Sequence, residues 1–328
     1  MKKLSVSPKL LTIFLLGLFF AIIPFVTQSR YIVAVCINIC VFAAFATAWN
    51  IIGGYAGQLG LAHAAFFAIG AYSGYLLYLN FKISPWIGMA VGLAISLTAS
   101  LIIGLVTFRF KGPYFMLSTI AFGKLVEVLL RYKKDITSGA NGLIIPVKGN
   151  NFSTLIFKNI IYYHYILLCL LMISLLIAWL VERSKIGYYL RVIKIDQDAA
   201  ESLGIEIKNY KLVAFLISAG VVTVIGTVYA FYLGYIDPSA VGGLDISTKI
   251  LSIAVIGGLG HLFGPMVGAM ILIPLIELAN AQIKGGVGML VYGLALILIM
   301  IFRPKGIISY LLDSDGKLKI WSFFKQKA

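Results

Sequence analysis

Residues 31–51 read YIVAVCINICVFAAFATAWNI, a stretch without a charged side chain. A helix needs about 20 mainly apolar residues to cross the hydrocarbon core of a membrane, so this stretch is long enough to span one. The rest of the chain continues the pattern: of 328 residues, 61% are hydrophobic and only 12% are charged. Soluble domains carry about 25% charged residues. The composition therefore predicts an all-α integral membrane protein.

Apolar runs and their breaks predict about ten transmembrane helices in a single transmembrane domain, residues 1–328. The predicted spans are 10–27, 31–51, 58–79, 86–108, 113–130, 160–181, 211–234, 247–260, 264–282 and 286–302. Two short runs, 113–130 and 247–260, are also compatible with re-entrant or broken helices. The basic, apolar N-terminus is interpreted as a retained first span. A cleaved signal peptide is the alternative, although no convincing small-residue cleavage site follows.

The Lys and Arg residues predict the orientation, because cytoplasmic connections carry an excess of them. With the N-terminus inside, about two thirds of the 27 Lys and Arg residues fall on the inner side. Both termini are then expected to be cytoplasmic. The net charge of +15 does not indicate nucleic-acid binding, since the basic residues form short clusters between apolar runs and not a continuous face.

Two hydrophilic segments interrupt the apolar pattern. Residues 131–159 contain TSGANGL and KGNNFS and are predicted to form an extracytoplasmic loop. Residues 182–211 are predicted to be cytoplasmic and contain DQDAAESLG. A short helix is expected there, ended by Gly204 because glycine readily adopts the left-handed conformation; its residues are Asp198, Ala199, Ala200 and Glu201. This helix is either a solvated turn or a segment that docks in a groove of another protein.

Motifs for bond-making chemistry are missing from the sequence. It contains no Gly-x-Ser-x-Gly, no His-Glu-x-x-His and no phosphate-binding Gly-x-x-x-x-Gly-Lys. The three cysteines and three histidines have no metal-ligand spacing. The chain is therefore predicted not to be an enzyme and to hold no cofactor or metal itself. A partner or an ion gradient has to supply the energy for any work that it does.

Small residues recur at one-turn spacing in two parts of the chain, a pattern that lets membrane helices approach closely. The predicted packing positions are Gly53, Gly57, Gly60, Gly70 and Gly74 in the first part and Gly260, Gly264 and Gly268 in the second. Gln58 and His63 lie within the first part. They either bond to neighbouring helices or face a water-filled translocation pathway.

Among the charged residues inside predicted spans, Lys124, Glu127 and Glu277 are singled out. Lys124 and Glu127 are three residues apart and are expected to share a helix face, where they can pair. Charged residues within a membrane usually have a function, so a proton relay is the competing interpretation. Such a relay would make the chain a secondary transporter acting alone.

Five blocks of sequence, in chain order, resemble the permease family of branched-chain amino acid ABC transporters, and more narrowly the larger of its two permease subunits. They are NIIGGYAGQLGLAHAAFFAIGAY, GPYFMLSTIAFGKLVEVLL, TSGANGL, GYYLRVIKIDQDAAESLGI and IAVIGGLGHLFGPMVGA. The segment around Ala199 and Ala200 also resembles the Glu-Ala-Ala loop of ABC-importer permeases. Asp198 stands where that loop has Glu, which keeps the charge, and Gly204 holds the glycine position.

The resemblance implies a vitamin B12-type importer layout in a bacterial cytoplasmic (inner) membrane, surrounded by lipid. It implies three kinds of partner: a second homologous permease subunit, two cytoplasmic ATPase subunits that bind ATP and Mg, and an extracytoplasmic substrate-binding protein. It also implies that the 182–211 coupling loop docks on an ATPase. The implied function is ATP-driven import of branched-chain or related amino acids by alternating access. A urea or short-amide importer and a proton-coupled secondary transporter remain the alternatives.

Overall fold

The structure is a computed structural model that describes residues 8–27, 29–110, 112–146, 149–282, 293–294, 297, 301 and 306–311. Its helices are α1 (Pro8–Val26), α2 (Arg30–Asn50), α3 (His63–Phe81), α4 (Pro85–Thr107), α5 (Pro113–Tyr132), α6 (Lys134–Thr137), α7 (Ile160–Arg183), α8 (Lys185–Ile195), α9 (Gln197–Ser202), α10 (Ile207–Leu233), α11 (Pro238–Gly242), α12 (Leu244–Gly257) and α13 (Gly264–Gln282). A short helix follows at Ile308–Leu311. The prediction of an all-α membrane protein is confirmed.

Membrane-spanning helices account for most of the described chain. Seven are long and apolar enough to cross a membrane, and two shorter apolar helices, Leu11–Val26 and Gly264–Ala279, lie at positions of predicted spans. The described residues thus contain counterparts of nine predicted spans. The tenth, 286–302, lies almost entirely outside the described residues.

Two of the uncertain spans are now defined. The run 113–130 is one continuous helix, α5, whose Pro113 occupies the first turn, where its missing N–H costs nothing. The run 247–260 belongs to a broken helix: α11 and α12 are separated by the extended Gly243 and together form a span from Pro238 to Gly257. The sequence prediction missed α11, which begins after the Asp237 N-cap.

The start of the third span was predicted wrongly. The apolar run begins at 58, yet α3 begins only at His63. Residues 51–55 instead extend α2 as a π-helix, Ile51–Tyr55, and Gly57 then takes a left-handed φ of 68°. The stretch from Gly57 to Ala62 is a non-helical loop folded into the protein, because its polar backbone groups find partners on other helices.

Helices α2 and α10 form the centre of the bundle. Helix α2 packs against α7, α10, α12 and α13, and α10 packs against α3 and α4. Close packing requires glycine at several crossings. A side chain at Gly70 would collide with the carbonyl of Thr223 on α10, and one at Gly268 would collide with the carbonyl of Ile253 on α12.

The two ends of the bundle differ in the elements that gather there. At the "α8–α9 end", Lys9 pairs with Glu182 at 2.7 Å, and the Ile307 N–H donates to the carbonyl of Ile256. At the "β-pair end", the short strands β1 (Leu143–Ile144) and β2 (Tyr235–Ile236) pair antiparallel. Among the described residues, the connections predicted to be inner lie at the first end and those predicted to be outer lie at the second.

Candidate functional site

The segment α8–α9 lies across one end of the bundle. Ser184 separates α8 from α7: it is extended, and its side chain caps α8 by accepting a hydrogen bond from the Gly187 N–H. The two helices meet closely there, because a side chain at Gly187 would collide with the carbonyl of Val181. Leu190 and Ile193 are buried against the bundle, whereas the opposite face is open. The amphipathic α8 therefore fixes the position of α9.

Helix α9 is defined by a cap at each end. The Asp196 carboxylate accepts hydrogen bonds from the backbone N–H groups of Asp198 (2.9 Å) and Ala199 (3.1 Å). At the other end, Gly204 has a φ of 78° and its N–H donates to the carbonyl of Glu201. The Ile205 N–H donates to the carbonyl of Ala200, which completes a Schellman motif. Sequence reasoning missed the Asp196 cap, although an Asp before a helical run is a recognised signal.

The open face of α9 combines acidic and apolar groups. Asp198, Ala199 and Glu201 are exposed, whereas Ala200 is buried beneath them. Two large apolar side chains flank the helix: Leu203 is 76% exposed and Ile195 is 87% exposed. Exposed apolar groups rimmed by charge are typical of a surface that another protein covers.

Lys194 connects this segment to the central helix α2. Its ammonium donates a hydrogen bond of 2.9 Å to the carbonyl of Gly54, within the π-helix. Gly57 and Gly260 lie against the Lys194 side chain, and a side chain at Gly57 would come within 3.1 Å of its Cγ. Partial burial lowers the pKa of Lys194 from its ordinary value. Sequence reasoning did not single out Lys194, whose partner lies 140 positions away.

Asn50 extends this connection to the loop between α12 and α13. Its side-chain amide donates to the carbonyl of His261 at 3.0 Å, and its Oδ1 accepts from the Gly260 N–H at 2.9 Å. Gly260 adopts a φ of 81°, which brings its N–H to Asn50. We call Lys194, Gly54, Asn50, Gly260 and His261 the "Lys194 cluster". It links α8, α2 and the α12–α13 loop.

His63 is enclosed by protein. Its side chain is fully buried, and its Nε2 lies 2.7 Å from Oγ of Ser218 on α10. Because the Ser218 hydroxyl donates to the carbonyl of Ala48, the Nε2–H of His63 is the donor to Ser218. Gln58 is also buried, with its amide near the carbonyl of Ala56. These positions fit the packing interpretation of both residues better than the pathway interpretation.

The loop before His63 is held by hydrogen bonds from other helices. The Trp49 indole N–H donates to the carbonyl of Gly60 at 2.7 Å, and the Leu61 N–H donates to the Thr119 hydroxyl at 2.9 Å. These bonds replace the helical ones that residues 57–62 lack. Gly60 is packed against α5, because a side chain there would come within 3.1 Å of Phe115.

Glu127 and Glu277, the two acidic residues singled out within the spans, have polar partners. Glu127 is buried and accepts from Lys124 at 2.7 Å and from Arg131 at 3.1 Å. Glu277 accepts from the Asn38 amide at 3.0 Å, and Asn38 in turn accepts from the Tyr229 hydroxyl. The sequence indicated the Lys124–Glu127 pair, but it missed Arg131, which follows Glu127 by one helical turn.

Two similar relatives are high-affinity branched-chain amino acid transport system permease proteins named LivM. The protein from Escherichia coli (strain K12) is 29% identical over 281 residues, which cover 79% of this chain and 65% of the relative. The protein from Salmonella typhimurium (strain LT2) is 30% identical over the same shares of both chains. This chain thus spans just under two thirds of the LivM relatives. No solved structure matches it.

A second class of relative is matched along nearly its whole length. The high-affinity branched-chain amino acid transport system permease protein LivH of Salmonella typhimurium is 24% identical over 286 residues, covering 81% of this chain and 91% of the relative. Residues 31–301, which include the α8–α9 segment and the Lys194 cluster, match the family model described as branched-chain amino acid transport system / permease component. The chain therefore belongs to this family of membrane permease components.

Proposed function

We propose that this chain is the transmembrane permease subunit of an ATP-driven importer for branched-chain or related amino acids. The observation that carries the proposal is the match of residues 31–301 to the permease family, together with a capped, exposed helix α9 inside that range. The assembly would contain a second homologous permease, two ATPase subunits and an extracytoplasmic binding protein. ATP and Mg would bind to the ATPases, and this chain would perform no catalysis.

The α8–α9 segment is proposed to dock on an ATPase subunit. Asp198 and Glu201 would give the surface its charge, and Leu203 and Ile195 would supply apolar contact. Gly204 would hold the end of α9 in the docking conformation. ATP-driven closure of the ATPases would then move α8 and α9 together. Because α8 is packed against the bundle, this movement would reach the membrane helices.

The Lys194 cluster offers a route from this movement to the membrane helices. A shift of α8 would pull on the carbonyl of Gly54 and so on the π-helical end of α2. Single π-helical turns frequently occur at functional sites. Asn50 would carry the same shift to the α12–α13 loop, and alternating access would follow from the changed packing of α2.

The proposed orientation places the α8–α9 end in the cytoplasm and the β-pair end outside, in the inner membrane of a bacterium. The clustering of basic residues at the α8–α9 end supports it. Residues 131–159, which include β1, would then face the binding protein. The opposite orientation would place the ATPase-docking surface outside the cell, where ATP is not supplied.

Two alternatives make different demands on this chain. A urea or short-amide importer would use the same assembly with another cargo. A proton-coupled transporter would need a titratable relay, yet Glu127 is already neutralised by two cations and Glu277 is bonded to Asn38.

The experiment is ATP hydrolysis by the reconstituted complex in lipid nanodiscs. The chain would be co-purified with its candidate permease partner and ATPases, and the binding protein would be added with or without leucine. Leucine-loaded binding protein is expected to stimulate hydrolysis. A complex that hydrolyses ATP at the same rate with and without the loaded binding protein would contradict the proposal.

A further inference from the structure

Lys124, one of the three charged residues that pair on α5, lies near the middle of a membrane span. Lys124 follows Pro113 by eleven residues and precedes Tyr132 by eight. At 1.5 Å per residue, it is about 16 Å from one end of the helix and about 12 Å from the other. A lysine side chain is too short to bring its ammonium to either end of the helix. The charge of Lys124 therefore stays within the thickness of the membrane.

Lys124 and Glu127 have opposite environments. The Lys124 side chain is 63% exposed, whereas that of Glu127 is 4% exposed. Glu127 lies beside α11, where a side chain on Gly242 would come within 3.7 Å of its Cβ. An ammonium in the middle of a membrane does not face lipid, because charged groups there face a protein interior or a water-filled cavity. The side of α5 that carries Lys124 is therefore turned toward water or protein.

The three charged residues on α5 carry an excess positive charge. Lys124 and Arg131 both donate to the single carboxylate of Glu127. A structural ion pair would need only one of these cations. Of the three N–H donors of the Lys124 ammonium, one is accepted by Glu127, and no second acceptor occurs among the residues that the structure describes. Two donors remain for a further anionic group.

We propose that Lys124 lines the translocation pathway and binds the carboxylate of the amino acid in transit. Glu127 is a positioning residue that holds the ammonium toward the pathway. Arg131 lies seven residues nearer the β-pair end and provides an earlier point of attraction for the same carboxylate. This inference rests on the proposed importer function and adds its ligand chemistry, since urea and neutral amides lack the group that Lys124 binds.

The test uses the complete transporter in proteoliposomes and compares Lys124→Gln, Lys124→Arg and the control Lys133→Gln. Lys133 is an exposed lysine directly after the last residue of the same helix. Losing a charge-assisted contact is expected to lower leucine uptake by about tenfold or more in Lys124→Gln. Lys124→Arg and Lys133→Gln keep most of the uptake, and ATP hydrolysis stimulated by the binding protein is unchanged in all three.

A charge-rescue measurement separates ligand binding from a structural role. Lys124→Cys is treated with 2-aminoethyl methanethiosulfonate, which restores a positive charge, or with the anionic 2-sulfonatoethyl reagent. Only the cationic reagent is expected to recover uptake, and neither changes uptake by the wild type.

Three results overturn the inference. These are wild-type uptake in Lys124→Gln, loss of the second permease from the purified Lys124→Gln complex, and no rescue of Lys124→Cys by the cationic reagent. The second result would assign Lys124 to the contact between permeases. Failure of the proposed function itself is distinguishable, because the wild type would then show no ATP-driven leucine uptake.

Discussion

Replacing Gly204 by Val tests whether the end of α9 sets the attachment of the ATPase. Gly204 has a φ of 78°, and apart from its chain neighbours no atom of the described residues lies within 4 Å of the position where a side chain would begin. The substitution therefore introduces backbone strain without a steric clash. Holding a non-glycine residue in this conformation costs about 1–3 kcal/mol. At 1.4 kcal/mol per factor of ten, the native end of α9 becomes about 5- to 150-fold less populated.

The assay is co-purification of the ATPase subunits with the chain, followed by titration of their affinity. Gly204→Val is expected to insert normally and to bind the ATPases about tenfold or more weakly, given the strain above. Gly204→Asn should remain close to the wild type, because Asn tolerates the left-handed region. Gly234→Val is the matched control: Gly234 also caps a helix, has a φ of 71° and has open space around it, but it lies at the β-pair end. Normal ATPase binding by Gly204→Val, or equal losses in both Val variants, would refute the reasoning.

Three further substitutions test other parts of the account. Lys194→Met keeps the apolar stem against Gly57 but lacks the donor to Gly54, so uptake per ATP hydrolysed should fall about threefold to tenfold, as expected for one lost hydrogen bond. The control Lys208→Met should behave as the wild type, and unchanged uptake per ATP in Lys194→Met would count against the Lys194 cluster. Gly268→Val should lower the level of folded protein in the membrane, because its side chain meets the Ile253 carbonyl; unchanged thermal stability would contradict the packing. Glu277→Gln preserves a hydrogen bond to Asn38, so ATP-driven uptake should continue. Loss of uptake in this variant would instead support the proton-relay interpretation.

The sequence located most of the architecture because hydrophobic length alone identifies a membrane helix. Helix α9 and its C-terminal end could also be predicted from the sequence, since Asp198, the two alanines and Gly204 act through local backbone preferences. The helix was predicted at 198–201, and the structure extends it by one residue at each end. Local signals were equally present for α11, where Asp237 caps a helix that begins with proline. That signal was overlooked within a polar connection.

The start of α3 was beyond local reasoning. Residues 58–62 are apolar enough to continue a helix, and Gly57 and Gly60 fit helix packing as well as a loop. They leave the helix because Gly57 reverses the backbone and because Trp49 and Thr119 satisfy Gly60 and Leu61 from other helices. Such bonds depend on tertiary packing, which one sequence does not reveal. The glycine-rich stretch is therefore both a packing surface and an irregular loop.

The candidate site was likewise only partly predictable from the sequence. The charges of Lys124 and Glu127 suggested a pair from their spacing, but only the structure distinguishes the exposed ammonium from the buried carboxylate. Lys194 is unremarkable within a basic segment, and its role depends on Gly54, far away in the chain. Contacts between distant segments decide which charged residues belong to the site.

The most direct test of the central claim is labelled leucine uptake into proteoliposomes that contain this chain, its candidate partners and the binding protein. ATP would be supplied at the face that carries α8 and α9, with and without a protonophore. The account predicts uptake that requires ATP, the ATPases and the binding protein and that resists the protonophore. Protonophore-sensitive uptake by this chain alone would contradict it. ATP-driven transport of urea but not of leucine would agree with the importer mechanism and contradict the proposed amino-acid substrate.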